Sequence, residues 1–258
     1  RMLNFAHGDV IMIGAFTLWT AASPSFFPGN PGLPTAVSIL ISILVCTLLG
    51  VLIEKIAYKP LRNASSLAVL ITAIGVSYFL QNIALLIFGS DAKAFNSVVS
   101  FPGLEIGGMK ISAETIVTIT VGVLIMVGLS LFIKFSKQGK AMLAVSEDKG
   151  AAQLMGINVN STISLTFAIG SALAAVAGIL YCSVFPQVSP YTGAMPGIKA
   201  FVAAVFGGIG RILLGIIENL SKAYISTEMV DAIVFAVLIL VLLVKPTGIM
   251  GKKMTEKV

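Results

Sequence analysis

Apolar residues run along this chain in long blocks, broken by short polar stretches. Four blocks, Thr35–Ile53, Leu67–Phe88, Ala113–Ile133 and Ser161–Phe185, reach the length of about 20 residues that a helix needs to cross a hydrocarbon core. Shorter blocks cover Val10–Ala22, Gly197–Phe206, Ile212–Ile225 and Met229–Val244. Between them lie a Pro/Gly-rich turn at Pro24–Pro34, a loop at Gly89–Ser112 with Pro102-Gly103 and Gly107-Gly108, a basic loop at Lys134–Asn160 and a Pro/Ser/Tyr loop at Pro186–Pro196. The pattern predicts an all-α fold: a polytopic transmembrane helical bundle of about eight spans or half-spans, forming one membrane domain over residues 1–258.

Composition agrees. Only 11% of the 258 residues are charged and 57% are hydrophobic, with a mean hydropathy of +1.01; soluble domains carry about 25% charged residues. The net charge of +6 does not point to nucleic acid, because the positives sit between spans and no aromatic-and-basic motif accompanies them. Eleven of the 17 basic residues fall in three places: the 54–62 loop, the 134–149 loop and the tail from Lys245. Basic loops stay on the cytoplasmic side, which puts these three segments, and the C-terminus, inside. The start, Arg1-Met2, shows no basic region ahead of an apolar run, so no cleavable leader is expected and the start reads as the interior of a longer protein.

That orientation constrains residues 197–225. The cytoplasmic loop and the cytoplasmic tail must be separated by an even number of crossings, so this segment contributes two crossings or none. The break at Gly207-Gly208-Ile209-Gly210-Arg211 suits a cytoplasmic turn. Each arm is too short to span alone at 1.5 Å per residue, so the arms are half-helices of the kind transporters place near their pathways, or residues are missing at the turn.

One polar piece differs from an ordinary loop. In SEDKGAAQLMGIN, residues 146–158, Ser146 is a good N-cap, Glu147 and Asp148 suit the positive end of a helix dipole, and Gly156 suits a C′ position. A helix over 147–155 is expected, within a segment bounded by 146 and 157, with Ala151, Leu154 and Met155 on one face. It is too short to hold by itself. Its own protein, the bilayer surface or another chain must pack on it.

Chemistry is sparse elsewhere. His7 is the only histidine, and Asp9, two residues on, points to another side of a helix, which argues against a dyad. Cys46 and Cys182 stand alone in apolar runs with no C-x-x-C, so neither a metal nor a redox pair is expected. No catalytic residue is expected, and no G-x-x-x-x-G-K-[ST] is present to hold a nucleotide. Asn4, His7 and Asp9 either cap a broken helix or take part in a pathway or gate; Gln81 and Asn82 either bond between helices or face that pathway. The small-residue run from Gly170 to Gly178 favours close helix packing.

The spacing Ala151-Ala152-x-x-x-Gly156 resembles the E-A-A-x-x-x-G loop of ATP-binding-cassette (ABC) importer permeases. Longer pieces, EDKGAAQLMGINVNSTISLTFAIGSALAAVAG (147–178), LNFAHGDVIMIGAF (3–16), IEKIAYKPLRNASSLAVLITAIGVSYFLQN (53–82), GIKAFVAAVFGGIG (197–210) and VLLVKPTGIMGKK (241–253), resemble the LivH-type branched-chain amino acid permeases, in order along nearly the whole chain. Three departures stand out. Gly150 occupies the motif's Glu position. The family's helix before RMLNFAHGD is absent, and so is its Pro/Gly-containing segment between Arg211 and Ile212.

The resemblance implies a permease subunit of an importer in the bacterial or archaeal inner membrane, working by alternating access. Its partners would be two ATPase subunits that bind ATP and Mg, a second related permease or a second copy, an external substrate-binding protein and the lipid bilayer. No cofactor is implied in this chain. The segment 146–157 would be a cytoplasmic coupling helix. In it, Glu147 and Asp148 cap and pair with the ATPase, Ala151 and Ala152 allow close approach, and Gly156 sets the angle into the next span. Alternatives are a same-family permease for urea, short amides or other amino acids, and a secondary transporter. The latter requires paired ionisable groups at mid-membrane, which the sequence does not display. A membrane enzyme would need a nucleophile–base pair, also not evident.

Overall fold

A computed structural model describes residues 6–23, 32–62, 64–99, 101–106, 109–206 and 210–244. It packs as two compact units, Arg1–Met195 and Pro196–Val258, described in turn.

In the first unit α1 (His7–Ala22), α2 (Thr35–Ile53), α3 (Ser66–Phe88), α4 (Ala113–Phe135), α5 (Lys137–Glu147), α6 (Lys149–Leu154) and α7 (Val159–Val184) follow one another. Two short antiparallel pairings trim one side: β1 (Lys93–Ala94) with β4 (Gln187–Val188), and β2 (Leu104–Ile106) with β3 (Met109–Ile111). Four helical stretches are long and apolar enough to cross a membrane: Thr35–Tyr58, Leu67–Phe88, Ala113–Phe135 and Val159–Val184. The chain is thus the all-α, multi-span bundle that its apolar blocks predict.

The centre of the bundle is α1, packed against α2 and α7, which also pack on each other. In hydrocarbon no hydrophobic force drives two apolar helices together, so contact relies on small residues that let backbones approach. Three glycines do this. A Cβ on Gly14 of α1 would lie 2.7 Å from the Ala175 Cα of α7; one on Gly178 would strike the Ile11 carbonyl oxygen; one on Gly50 of α2 would strike the Ser171 hydroxyl. Polar side chains reinforce the seam: the Ser42 hydroxyl donates to the Gly14 carbonyl at 2.7 Å and the Cys46 thiol to that of Val10 at 3.6 Å. Phe16, stacked on Phe88 with ring centroids 4.2 Å apart, closes the core toward α3, and Trp19 ties in the loop by donating to the Ala94 carbonyl at 3.0 Å. By contrast α4 buries only Ala113. The outward Leu, Ile, Phe and Met side chains of α3 and α4 form a surface for lipid or another membrane chain.

Two boundaries differ from the sequence reading. The second span does not end at Ile53: it continues as a π-helical turn, Glu54–Tyr58, and carries Glu54 with it into a fully buried position. The stretch 134–160 is not a plain loop. Ser136 ends α4 and its hydroxyl accepts from the Gly139 amide at 2.8 Å, starting α5. A Cβ on Gly139 would lie only 2.5 Å from the Ile133 Cα, so this tight reversal needs glycine there.

The second unit holds α8 (Ala194–Phe206), α9 (Gly210–Tyr224) and α10 (Val230–Val244). With 13 and 15 residues, α8 and α9 have the half-helix length expected of these arms; the turn at 207–209 and the tail from 245 lie outside the described residues. Val202, Val230 and Val234 form a small core. Lys199 on α8 bridges Glu218 on α9 and Asp231 on α10, at 2.9 Å each, and Lys222 adds a bond to Glu218 at 3.0 Å. Lys199, Lys222, Glu218 and Asp231 thus neutralise one another across three helices.

The packing makes a direct prediction. Gly178→Val overfills the α1–α7 contact, a change that costs about 1–3 kcal/mol in packed cores, and should lower the melting temperature of the detergent-solubilised protein by several degrees. Gly170→Val, where an added Cβ meets nothing within 4 Å, should melt with the wild type. Equal melting of all three proteins would contradict this contact.

Candidate coupling site

The site is built by three consecutive caps. The Asp148 carboxylate accepts from the backbone amides of Gly150, at 2.8 Å, and Ala151, at 3.0 Å, and so starts α6. After Leu154 the chain takes a left-handed turn at Gly156, with φ +81°. The Gly156 amide then bonds the Gln153 carbonyl and the Ile157 amide the Ala152 carbonyl, both at 3.0 Å. This is a Schellman ending, in which glycine takes the positive φ that other residues adopt only with strain. Two residues on, the Asn158 side chain accepts from the Ser161 amide at 3.1 Å and starts α7. The piece between Asp148 and Asn158 is therefore held at a fixed angle to the span that follows.

The geometry corrects part of the sequence reading. Ser146 is not the N-cap. It lies in the last turn of α5, where its hydroxyl donates to the Leu143 carbonyl at 2.7 Å, and Glu147 ends that helix. The helix expected over 147–155 is the six-residue α6. Asp148 alone does the capping; Glu147, at the negative end of a helix dipole, is exposed and caps nothing. Ala152 is buried, whereas Ala151 is exposed, and Leu154 and Met155 are 90% and 82% exposed. The structure thus brings Asp148, Ala151, Ala152 and Gly156 into one element and leaves Glu147 on its neighbour.

Beside α6 lies a cleft of about 560 Å³ lined by Arg62, Lys149, Gly150, Gln153, Asn158 and Asn160, among others. At its floor is a network absent from the sequence reading. Glu54, with none of its side chain exposed, takes the Arg62 guanidinium on one carboxylate oxygen and the Ser164 hydroxyl, at 2.6 Å, on the other. A second arm of Arg62 donates to the Asn160 side-chain carbonyl. The Arg62 Nε–H is buried with no partner among the described residues; an unmet buried donor costs about 1–3 kcal/mol. Glu54 and Arg62 are eight residues apart, but Ser164 is 110 residues from Glu54, and no local pattern signals that pairing.

The candidate pathway residues separate. Asp9 is buried and accepts from Gln81 Nε2 at 2.8 Å, which joins α1 to α3. Asn82 donates to the Tyr78 carbonyl of its own helix at 2.7 Å. His7 lines a different space, a mostly apolar cavity of about 610 Å³ between α4 and α7, together with Thr115, Thr118, Leu173, Leu180 and Tyr181. His7 and Asp9 thus face different sides, as their spacing requires. Asn4 lies outside the described residues. Among the described residues no three His, Cys, Asp or Glu side chains group as metal ligands, and both cysteines are free and buried.

Membrane-length apolar helices joined through glycine contacts, with a short capped helix set between two of them, define an integral membrane protein. The family model described as "Branched-chain amino acid transport system / permease component" matches residues 1–242, and the chain belongs to that family. The chain is 43% identical to the high-affinity branched-chain amino acid transport system permease proteins LivH of Salmonella typhimurium and of Escherichia coli, over 100% of this chain and 88% of theirs. It is 41% identical to the corresponding protein BraD of Pseudomonas aeruginosa, with the same coverage. No solved structure matches it.

The caps can be tested. Asp148→Ala should fray α6, since losing an N-cap costs about 0.5–2 kcal/mol, and amide hydrogen exchange at Gly150 and Ala151 should speed up; Asp148→Asn, which still caps, should stay near wild type. Unchanged exchange in the alanine variant would remove Asp148 from this role.

Proposed function

We propose that this chain is the membrane-spanning permease subunit of an ABC importer for branched-chain amino acids, moved between inward- and outward-open states by separate ATPase subunits. The observation that carries the reading is α6. It is a rigidly capped helix in which Leu154 and Met155 are almost wholly exposed while Ala152 anchors it underneath. Two large apolar side chains raised on a six-residue helix are a poor surface for water and a good knob for a cleft in another protein. The full-length likeness to permeases named for branched-chain amino acid transport supports the substrate class. The mostly apolar cavity behind His7 suits an aliphatic side chain, and no carboxylate, lysine or arginine lines it.

In this scheme the protein sits in a bacterial or archaeal inner membrane with its basic segments and its C-terminus in the cytosol. Two ATPase subunits, which bind the ATP and Mg, dock at α6 through Leu154 and Met155. Ala151 leaves room for their approach, and Glu147, free of any capping duty, meets their basic side chains. A second related permease or a second copy completes the passage, and an external binding protein delivers the amino acid. Gly156 turns the motion of α6 into motion of α7. Asp9 and Gln81 hold α1 to α3 while this happens.

The test is uptake of leucine by vesicles containing the reconstituted complex. Uptake should require ATP and the ATPase subunits and should persist when the proton gradient is collapsed. Uptake that runs on a gradient without ATP would sink the reading.

A further inference from the structure

Force arriving at α6 has a covalent route into α7 through Gly156, Ile157 and Asn158. Into α2, the other helix that packs along α1 and α7, it has no covalent route at this end and depends on a side-chain link. The network at the floor of the cleft supplies one. Asn160 is the second residue of α7, four residues past the turn that ends α6. Its side chain takes one arm of Arg62, and the other arm holds Glu54. Glu54 is the first residue of the π-helical turn that extends α2, closed by a bond from the Lys59 amide to the Glu54 carbonyl at 2.8 Å. Such turns are frequent at functional sites.

We propose that Arg62 is a positioning residue that ties the exit of the coupling helix, at Asn160, to the inner end of α2, at Glu54, so that α2 and α7 move as one when α6 is displaced. The proposal rests on the reading of α6 as the coupling helix.

Three features fit a working link rather than a static clamp. The Glu54 end is fixed: its carboxylate is fully buried and held from two sides, by Arg62 and by Ser164 of α7. The Asn160 end is exposed and borders the open cleft, so α6 and its linker have room to move toward Arg62 without displacing packed side chains. And the Arg62 Nε–H, which has no partner among the described residues, leaves the guanidinium a bond that a shifted arrangement can gain. Deeper in the same seam Gly50 lies close against Ser171 and Glu54 bonds Ser164, so α2 and α7 are already joined there, and the Arg62 link adds the first turn of α7, at the exit of α6, to that contact.

The decisive variant is Asn160→Ala. It cuts the link and leaves the buried Glu54 pair intact, and water can replace the exposed amide at Arg62, so folding should survive; Asn160→Asp keeps an acceptor. The assay is leucine carried per ATP hydrolysed by the reconstituted complex of permease, ATPase subunits and binding protein. With Asn160→Ala, hydrolysis should continue while the ratio falls about five-fold or more, the size of an ordinary coupling between sites, and Asn160→Asp should restore it. A second readout separates linkage from simple structural loss. Spin labels at Leu52 of α2 and Ser161 of α7, both exposed, should keep a constant separation through the nucleotide cycle in the wild type and change separation in Asn160→Ala. A wild-type ratio in Asn160→Ala, an unchanged label separation, or a complex that falls apart because Asn160 holds the ATPase instead would each overturn the link. If the wild-type complex itself moves no leucine with ATP, it is the importer reading that fails.

Discussion

A carboxylate with no exposed surface has to be neutralised where it lies, and the α6 end of this bundle is organised around that requirement. Glu54 is carried inward because α2 does not stop where its apolar block stops. Once buried, it needs a cation and a hydroxyl, and it finds Arg62 from the turn that follows and Ser164 from a span far along the chain. Removing one partner of such a buried pair typically costs about 3–5 kcal/mol, because the other charge is stranded. The pair therefore fixes where α2, the turn before α3 and the start of α7 can stand relative to each other.

The rest of the first unit obeys the same rule in milder form. A hydrocarbon solvent accepts no unpaired backbone group, so the spans are helices throughout, and it offers no drive for helix association, so α1, α2 and α7 meet through Gly14, Gly50 and Gly178. Polar side chains inside the seam spend their bonds on neighbouring helices, as Ser42 does on Gly14 and Gln81 on Asp9. Only where the chain leaves the spans do caps take over. Ser136, Asp148, Gly156 and Asn158 make three sharp corners, and α6 is what those corners present.

How much of this the sequence discloses follows from how local each signal is. Block length and hydropathy mark the long spans to within a few residues, because transfer to hydrocarbon is decided residue by residue. The end of α2 is misplaced because a charge normally closes an apolar block, and the partners that let Glu54 go under are eight and 110 residues away. The start of α6 is misplaced by two residues because Ser146 and Asp148 are both competent caps. The choice between them falls to tertiary packing, which buries Val145 and so keeps α5 helical up to Glu147. The same charges that mark 134–149 as basic hide α5 as a loop. Gly156 is legible, since a left-handed ending admits few residues besides glycine. The Lys199–Glu218–Asp231 cluster is not, since its members sit on three different helices.

The central claim is that α6 faces the cytosol and is gripped there by a separate ATPase. The direct measurement is labelling of Met155→Cys by a membrane-impermeant thiol reagent; the native background is low because Cys46 and Cys182 are buried. The account predicts that the new thiol reacts from the cytosolic side only, and that assembly with the ATPase subunits protects it. Reaction from the outside, or equal reaction with and without those subunits in a working complex, would contradict it.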